Sequence, residues 1–254
     1  MPGRGSTVAE HVRLGDVSTY YEQRGSGDPL VLLHPGGVDS RVFASLVPDL
    51  ARTFTVFCPD RRGHGRTPDV PGPISYDLMA GDTAAFLERV VGGPAALVGH
   101  SDGAIVALTT ALARPDLVTA LVFVSGVFHH DAWALGAIDP DRETTEGFRE
   151  FHAEVSPDGP GAFDVLAAKL HRMHREEPTL TAAALGGYPG PALVMTGDDE
   201  DEIPLDHLLA LRAGLPDAQL AVVPAAGHGL PLDRPELFTL LVTEFVTTVA
   251  GRRG

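Results

Sequence analysis

Ala95-Ala96-Leu97-Val98-Gly99-His100-Ser101-Asp102-Gly103-Ala104-Ile105-Val106 is the stretch on which the fold turns. Its first four residues are short and continuously apolar, as suits a strand buried on both faces. A helix is expected to start near Asp102. Between them lies a G-x-S-x-G match, Gly99 to Gly103. A serine at so sharp a strand-to-helix turn sits in strained backbone, which small residues on both sides permit, and its hydroxyl projects above the sheet edge. The plainer reading is a tight turn with a capping serine. The strand before and the helix after point instead to a nucleophile.

Working outward, short β-rich runs alternate with longer helical patterns, the signature of strands crossing over through helices into a mostly parallel sheet. His11 to Leu14 and Ser18 to Arg24, separated by Gly15-Asp16, predict an antiparallel hairpin at one edge. Leu30 to Leu33, Thr55 to Phe57, Ala95 to Val98, Ala120 to Val124, Ala192 to Met195 and Leu220 to Val223 predict six buried central strands. Helices are expected over Tyr76 to Val91, with Leu78, Phe86 and Leu87 on one face, and over Glu236 to Val249. From Val127 to Pro189 no strand is legible, but Phe148, Phe151 and Val155, and then Phe163, Leu166, Leu170 and Met173, follow helical spacing. So long a connection implies an all-helical cap over the carboxyl edge of the sheet. The division is a core of residues 1–126 and 190–254 with a helical cap over 127–189.

The 254 residues are 44% hydrophobic, ample for a core, and carry 19 basic against 34 acidic side chains, a net charge of −15. Such a field repels nucleic acid. Cys58 is the only cysteine, so no intrachain disulfide can form, and its apolar surroundings predict a small buried strand residue. The polar Met1 to Gly15 has no stretch long enough for a signal peptide or membrane span. The expectation is a cytoplasmic protein with a small-molecule substrate, no nucleic-acid or membrane partner, and homo-oligomerisation left open.

A serine hydroxyl needs a base within hydrogen-bond reach and an acid orienting that base. After the run Ala192 to Met195 comes Gly197-Asp198-Asp199-Glu200-Asp201-Glu202, and after Leu220 to Val223 comes Gly227-His228-Gly229. The chain order is therefore serine, acid, histidine, each at the carboxyl end of a different strand.

On these motifs the chain resembles the α/β-hydrolase superfamily over nearly its whole length, closest in style to small cofactor-free ester, lactone and carbon–carbon bond hydrolases with a helical cap. The resemblance implies an α/β-hydrolase fold: a mostly parallel sheet flanked by helices, with the cap inserted after the sixth core strand region. His34-Pro35-Gly36-Gly37 is similar to the family's oxyanion loop, and Asp60-Arg61-Arg62-Gly63-His64-Gly65-Arg66 to its next strand-end turn. Ser101 and His228 carry over as nucleophile and base. Pro35 stands where many members have Gly and removes a backbone donor, so the oxyanion hole falls to the N–H groups of Gly36 and Asp102. For the acid, the family's spacing counted forward from Gly197 lands on Glu200, whereas counting back from the next helix, near His207, favours Asp201. Asp201 is preferred, with Glu200 the alternative.

Other polar residues have plainer roles. The cap histidines His129, His130, His152, His171 and His174 read as pocket lining or helix surface, since no carboxylate or cysteine stands at metal-ligand spacing from His171 and His174. Consecutive acids lack the alternation of a calcium loop. No metal or cofactor is expected. His34, Gly37, Phe128 and Trp133 are candidates for the substrate pocket. His100 reads as packing, and Asp102 as an anion stabilised at a helix N-terminus. The function this implies is a serine hydrolase cleaving a small, largely apolar ester or lactone through an acyl-enzyme. The alternatives are a carbon–carbon bond hydrolase of diketone-like substrates, or a binding protein of the same fold with negligible turnover.

Overall fold

The computed structural model describes residues 7–133 and 144–251. Its strands are β1 (Val8–Leu14), β2 (Val17–Gly25), β3 (Pro29–Leu33), β4 (Thr55–Pro59), β5 (Ala95–His100), β6 (Val118–Val124), β7 (Pro191–Gly197) and β8 (Asp217–Val223). Its helices are α1 (Val47–Leu50), α2 (Tyr76–Phe86), α3 (Asp102–Ala113), α4 (Thr144–Ala153), α5 (Ala162–Glu176), α6 (Ala182–Leu185), α7 (Leu205–Gly214), α8 (Leu230–Asp233) and α9 (Pro235–Gly251). The strands form one sheet in the order β1-β2-β4-β3-β5-β6-β7-β8. Only the β1–β2 and β2–β4 pairings are antiparallel. The β1–β2 hairpin closes on Leu14 opposite Val17, which leaves Gly15-Asp16 as its two-residue turn.

The sheet is covered on both faces, and the period of two along β5 shows why its sequence is apolar without alternation. Ala95 and Leu97 pack with Ile105 and Leu108 of α3. Ala96 and Val98 face the other way, against Phe238 and Val242 of α9. Burying each such large apolar side chain is worth about 1.5–3 kcal/mol relative to exposure. Cys58 is buried in this second layer. Among the described residues, no helix is long and apolar enough to cross a membrane.

Two local expectations need correction. Leu78 does not share the buried face of Phe86 and Leu87: it is exposed, and Met79, Ala80 and Thr83 occupy the inner face of α2. At 3.6 residues per turn Leu78 lies about 80° around the helix from Phe86 and about 180° from Leu87, whereas Met79 is nearly in line with Phe86. Nor is Leu220 to Val223 buried on both faces. β8 pairs only with β7, and as an edge strand it keeps Val222 exposed.

Between β6 and β7 the described residues hold α4, α5 and α6 and no strand, only an isolated bridge from His129 to Thr179. Phe163, Leu166, Leu170 and Met173 of α5 are buried. Phe148 and Phe151 are half-buried, because Phe151 lies under the Arg41 guanidinium, 3.8 Å from ring centroid to Cζ, and Phe148 faces a cavity. Polar ties fasten this segment to the sheet edge. Lys169 Nζ donates to Asp69 at 2.7 Å, and Tyr76 N–H donates to Glu177 at 2.9 Å. On the strand-end side, the buried Asp60 carboxylate accepts the N–H groups of Ser40 (3.0 Å) and Arg66 (2.9 Å), joining the two loops that flank β3 and β4.

Candidate active site

β5 delivers Ser101 to the carboxyl edge of the sheet, and α3 leaves immediately after it. The turn requires φ 55° and ψ −122° at Ser101, a conformation that costs a non-glycine residue about 1–3 kcal/mol. The flanking glycines let the strand and helix approach closely enough to hold it. A Cβ on Gly99 would collide with the Gly103 carbonyl, and one on Gly103 with the Leu33 carbonyl. Ser101 N–H donates to Val124 O at 2.9 Å, which anchors the turn to β6.

His228, on the loop after β8, faces this turn. Its Nε2 lies 3.0 Å from Ser101 Oγ and accepts the hydroxyl proton. Its Nδ1–H donates to the Glu200 carboxylate, at 3.1 Å to Oε1 and 3.2 Å to Oε2. Glu200 is in turn fixed by the Glu202 N–H, 3.0 Å from Oε1, and its side chain is only 4% exposed. The partner of His228 is therefore Glu200, and the expectation of Asp201 is corrected: Asp201 is exposed. The loop path explains the difference. After β7 the chain stays tied to the β8 side through Asp198 N–H to Val223 O and Asp199 N–H to Ala226 O, so Glu200 follows directly on the last tied residue. α7 begins at Leu205 behind Pro204, ahead of His207, which displaced the count made from that end.

The electrostatics agree with an Asp/Glu–His couple. Burial alone would lower the His228 pKa, but the hydrogen bond to Glu200 and the negative charges of Glu202 and Glu200 raise it above the ordinary 6.5. Burial would raise Glu200, yet His228, through its hydrogen bond and charge, holds the carboxylate below its usual range. A base must be unprotonated to accept the serine proton, so activity should fall as pH drops through a raised pKa. The expected acid limb of kcat/KM thus lies above pH 6.5. A pH–rate profile checks this, and a limb below 6 would contradict the raised imidazole.

Ser101 and His228 border a cavity of about 210 Å³. Gly36 also lines it, and Asp102 is the first residue of α3, where a helical N–H lacks an i−4 carbonyl. Of the four expected pocket residues only Trp133 lines it. His34 is fully buried beside the strand ends, with Nδ1 donating to Pro35 O at 2.7 Å and Nε2 accepting from Arg61 N–H at 3.0 Å. Gly37 adopts φ 72° against the Phe163 ring. Phe128 is stacked on His207 at 4.0 Å, outside the lining. His100 also borders the cavity, but its Nε2–H donates to His228 O at 2.7 Å, and burial pushes its pKa down to about 3, so it packs as a neutral ring.

Three further residues complete the site: Phe43 and Glu202 were not singled out as pocket residues by the sequence, whereas His174 takes the pocket-lining reading given to the cap histidines. Phe43 brings a ring, and Glu202 places Oε2 3.7 Å from His228 Nε2. His174 arrives from α5 and donates Nε2–H to Asp102 Oδ1 at 2.8 Å. The Asp102 carboxylate is not a substrate anchor: it is 1% exposed and also takes the Tyr76 hydroxyl at 2.7 Å. Burial would raise its pKa, but His174, Arg61 and Tyr76 together hold it well below the carboxylate range. Elsewhere, His129, His130 and Asp131 bring potential metal-ligand atoms within 4.8 Å of one another, but none of them lines the cavity. His129 Nδ1 already accepts the Asp131 N–H at 3.3 Å.

Residues 30–239 match the model of the alpha/beta hydrolase family. The chain belongs to that family. As an α/β hydrolase it is 30% identical, over 92% of its length and all of the relative's, to the pimeloyl-[acyl-carrier protein] methyl ester esterase of Chromobacterium violaceum. It is 25% identical, over 94% of its length and 91% of the relative's, to the 2-hydroxy-6-oxo-6-(2'-aminophenyl)hexa-2,4-dienoic acid hydrolase of Metapseudomonas resinovorans. The α/β hydrolase also superimposes on the crystal structure of a serine hydrolase involved in carbazole degradation. The TM-score is 0.83 at 22% identity, covering 96% of this chain and all of the other. This last likeness bears on fold alone.

Proposed function

We propose that this α/β hydrolase is a serine hydrolase of small, largely apolar carboxylic esters or lactones. The observation that carries the reading is the unbroken hydrogen-bond chain from Glu200 through His228 to Ser101, opening onto a cavity with mainly apolar walls. Ser101 Oγ attacks the carbonyl carbon while His228 Nε2 takes its proton. Glu200 holds the imidazole in the tautomer whose Nε2 is free to accept, and it stabilises the imidazolium that forms. The backbone N–H groups of Gly36 and Asp102 receive the oxyanion. As the tetrahedral intermediate collapses, His228 returns the proton to the leaving oxygen, and the acyl group remains on Ser101. A water then attacks with His228 again as base, releasing the acid. Residues 127–189 act as a cap: Trp133, Phe148 and His174 come from that segment and form part of the wall around Ser101.

Carbon–carbon cleavage, suggested by the dienoic acid hydrolase among the relatives, uses the same three side chains. The cavity favours the ester reading, because no Lys or Arg among the described lining residues meets a substrate carboxylate. The test is covalent trapping. A fluorophosphonate should add once to the protein, with the adduct mapped by mass spectrometry to the peptide containing Ser101, and 4-nitrophenyl butyrate should turn over. An adduct elsewhere overturns the assignment. Labelling without turnover of any ester would favour a binding protein.

A further inference from the structure

Resting on that reading, we propose that His174, a residue of the cap, is a positioning residue for the oxyanion hole. By holding the Asp102 carboxylate it keeps the Asp102 N–H aimed at the reacting carbonyl and keeps the carboxylate's charge off the oxyanion. The cap then serves the rate of the reaction as well as its selectivity.

The peptide joining Ser101 to Asp102 carries the donor. Its carbonyl, Ser101 O, accepts the Ala104 N–H at 2.8 Å and the Ile105 N–H at 3.2 Å, inside the first turn of α3. A trans peptide points its C=O and N–H in opposite directions, so the Asp102 N–H points out of the helix head. The plane is set by the Ser101 ψ of −122°, part of the strained conformation with φ 55°, and a rotation that relaxed the strain would swing the N–H off its target. The Asp102 side chain ties the far end of that peptide to its surroundings. Oδ1 takes the Tyr76 hydroxyl at 2.7 Å and the His174 Nε2–H at 2.8 Å. Oδ2 is buried with no hydrogen-bond partner among the described residues, so these two bonds carry the tether, one from the core and one from the cap.

The charge needs the same two bonds. Burial would raise the Asp102 pKa, but contact with His174 opposes this most, followed by Arg61 and Tyr76, and the group is held ionised. A carboxylate on the residue whose N–H receives an oxyanion opposes the negative charge that develops there. Its field reaches the site, since Asp102 is one of the charges that raise the His228 pKa. Among the described residues His174 lines the cavity and Asp102 does not, so a substrate meets the imidazole in place of the carboxylate.

Two ketones of one shape test it. The carbonyl carbon of 1,1,1-trifluorohexan-2-one accepts Ser101 Oγ, whose proton passes to His228, and the ketone oxygen becomes the oxyanion; hexan-2-one occupies the same space with its carbonyl uncharged. In His174→Phe, kcat for 4-nitrophenyl butyrate and the affinity for the fluorinated ketone should fall together by about thirtyfold, while KM and the affinity for hexan-2-one stay within about threefold. His174→Gln, which keeps an N–H donor at the position of Nε2, should recover most of both losses. Tyr76→Phe removes the other bond to Oδ1 without touching the cap, and should weaken the fluorinated ketone by about tenfold with hexan-2-one again unchanged. A His174→Phe variant that keeps kcat and fluorinated-ketone affinity within threefold, or that weakens both ketones equally as a mere wall residue would, overturns the proposal. A Gln variant as impaired as the Phe variant overturns the hydrogen bond as the route. Should His174→Phe fail to fold, unchanged affinity for the fluorinated ketone in Tyr76→Phe overturns the tether. In each of these cases turnover and fluorophosphonate labelling of the parent protein leave the hydrolase reading standing, whereas absence of both in the parent overturns that reading itself.

Discussion

Ser101→Ala is expected to lower kcat for 4-nitrophenyl butyrate by about a million-fold, the scale on which removing the nucleophile of a triad acts. Without Oγ there is no atom to carry the acyl group, and His228 has no proton to accept from it. What remains is the weak acceleration from the oxyanion donors and binding. Fluorophosphonate labelling should vanish with turnover. Folding should survive, because alanine keeps the Cβ at the strained φ of 55° and the N–H bond to Val124 O. Thermal unfolding should then report a change within about 1 kcal/mol. Activity within tenfold of the parent in a folded variant would remove Ser101 from the mechanism.

Glu200→Gln should cost about a thousandfold or more in kcat/KM, whereas Asp201→Asn should stay within about threefold. The amide has the shape of the carboxylate but no charge, so it neither stabilises the His228 imidazolium nor enforces the tautomer in which Nδ1 carries the proton. Because Glu200 helps to hold the His228 pKa up, the acid limb of the residual activity should also move to lower pH. Asp201 is exposed, and its neutralisation leaves the bond between His228 and Glu200 in place. The reverse order of effects would return the acid role to Asp201. The pH shift separates loss of the His228 partner from a general loosening of the loop, which would lower the rate without moving the limb.

Much of this architecture was legible before any coordinates, and for local reasons. Apolar runs of strand length between helical patterns specify a parallel sheet, since a strand buried on both faces has no room for polar alternation. Gly99 and Gly103 around Ser101 mark a turn that only small residues allow, and Gly227-His228-Gly229 marks another strand-end loop. A few contiguous residues encode each of these features, through backbone sterics and side-chain period.

The acid belongs to a different class of problem. Five adjacent carboxylates from Asp198 to Glu202 are equivalent as a string, and the choice among them depends on where the chain is released from its bonds to β8. The same holds for β8, whose apolar run gives no sign that it lies at the sheet edge. It holds most clearly for His174 and Asp102, 72 positions apart, which meet only because α5 folds back over the head of α3. The sequence by itself determined the sheet, the nucleophile turn and the histidine, because steric rules act between near neighbours along the chain. Tertiary structure alone decided the acid, the Asp102–His174 bond and the walls of the cavity, because a hydrogen bond depends on positions in space to within a few tenths of an ångström, and loops of similar composition can place their side chains in many of them.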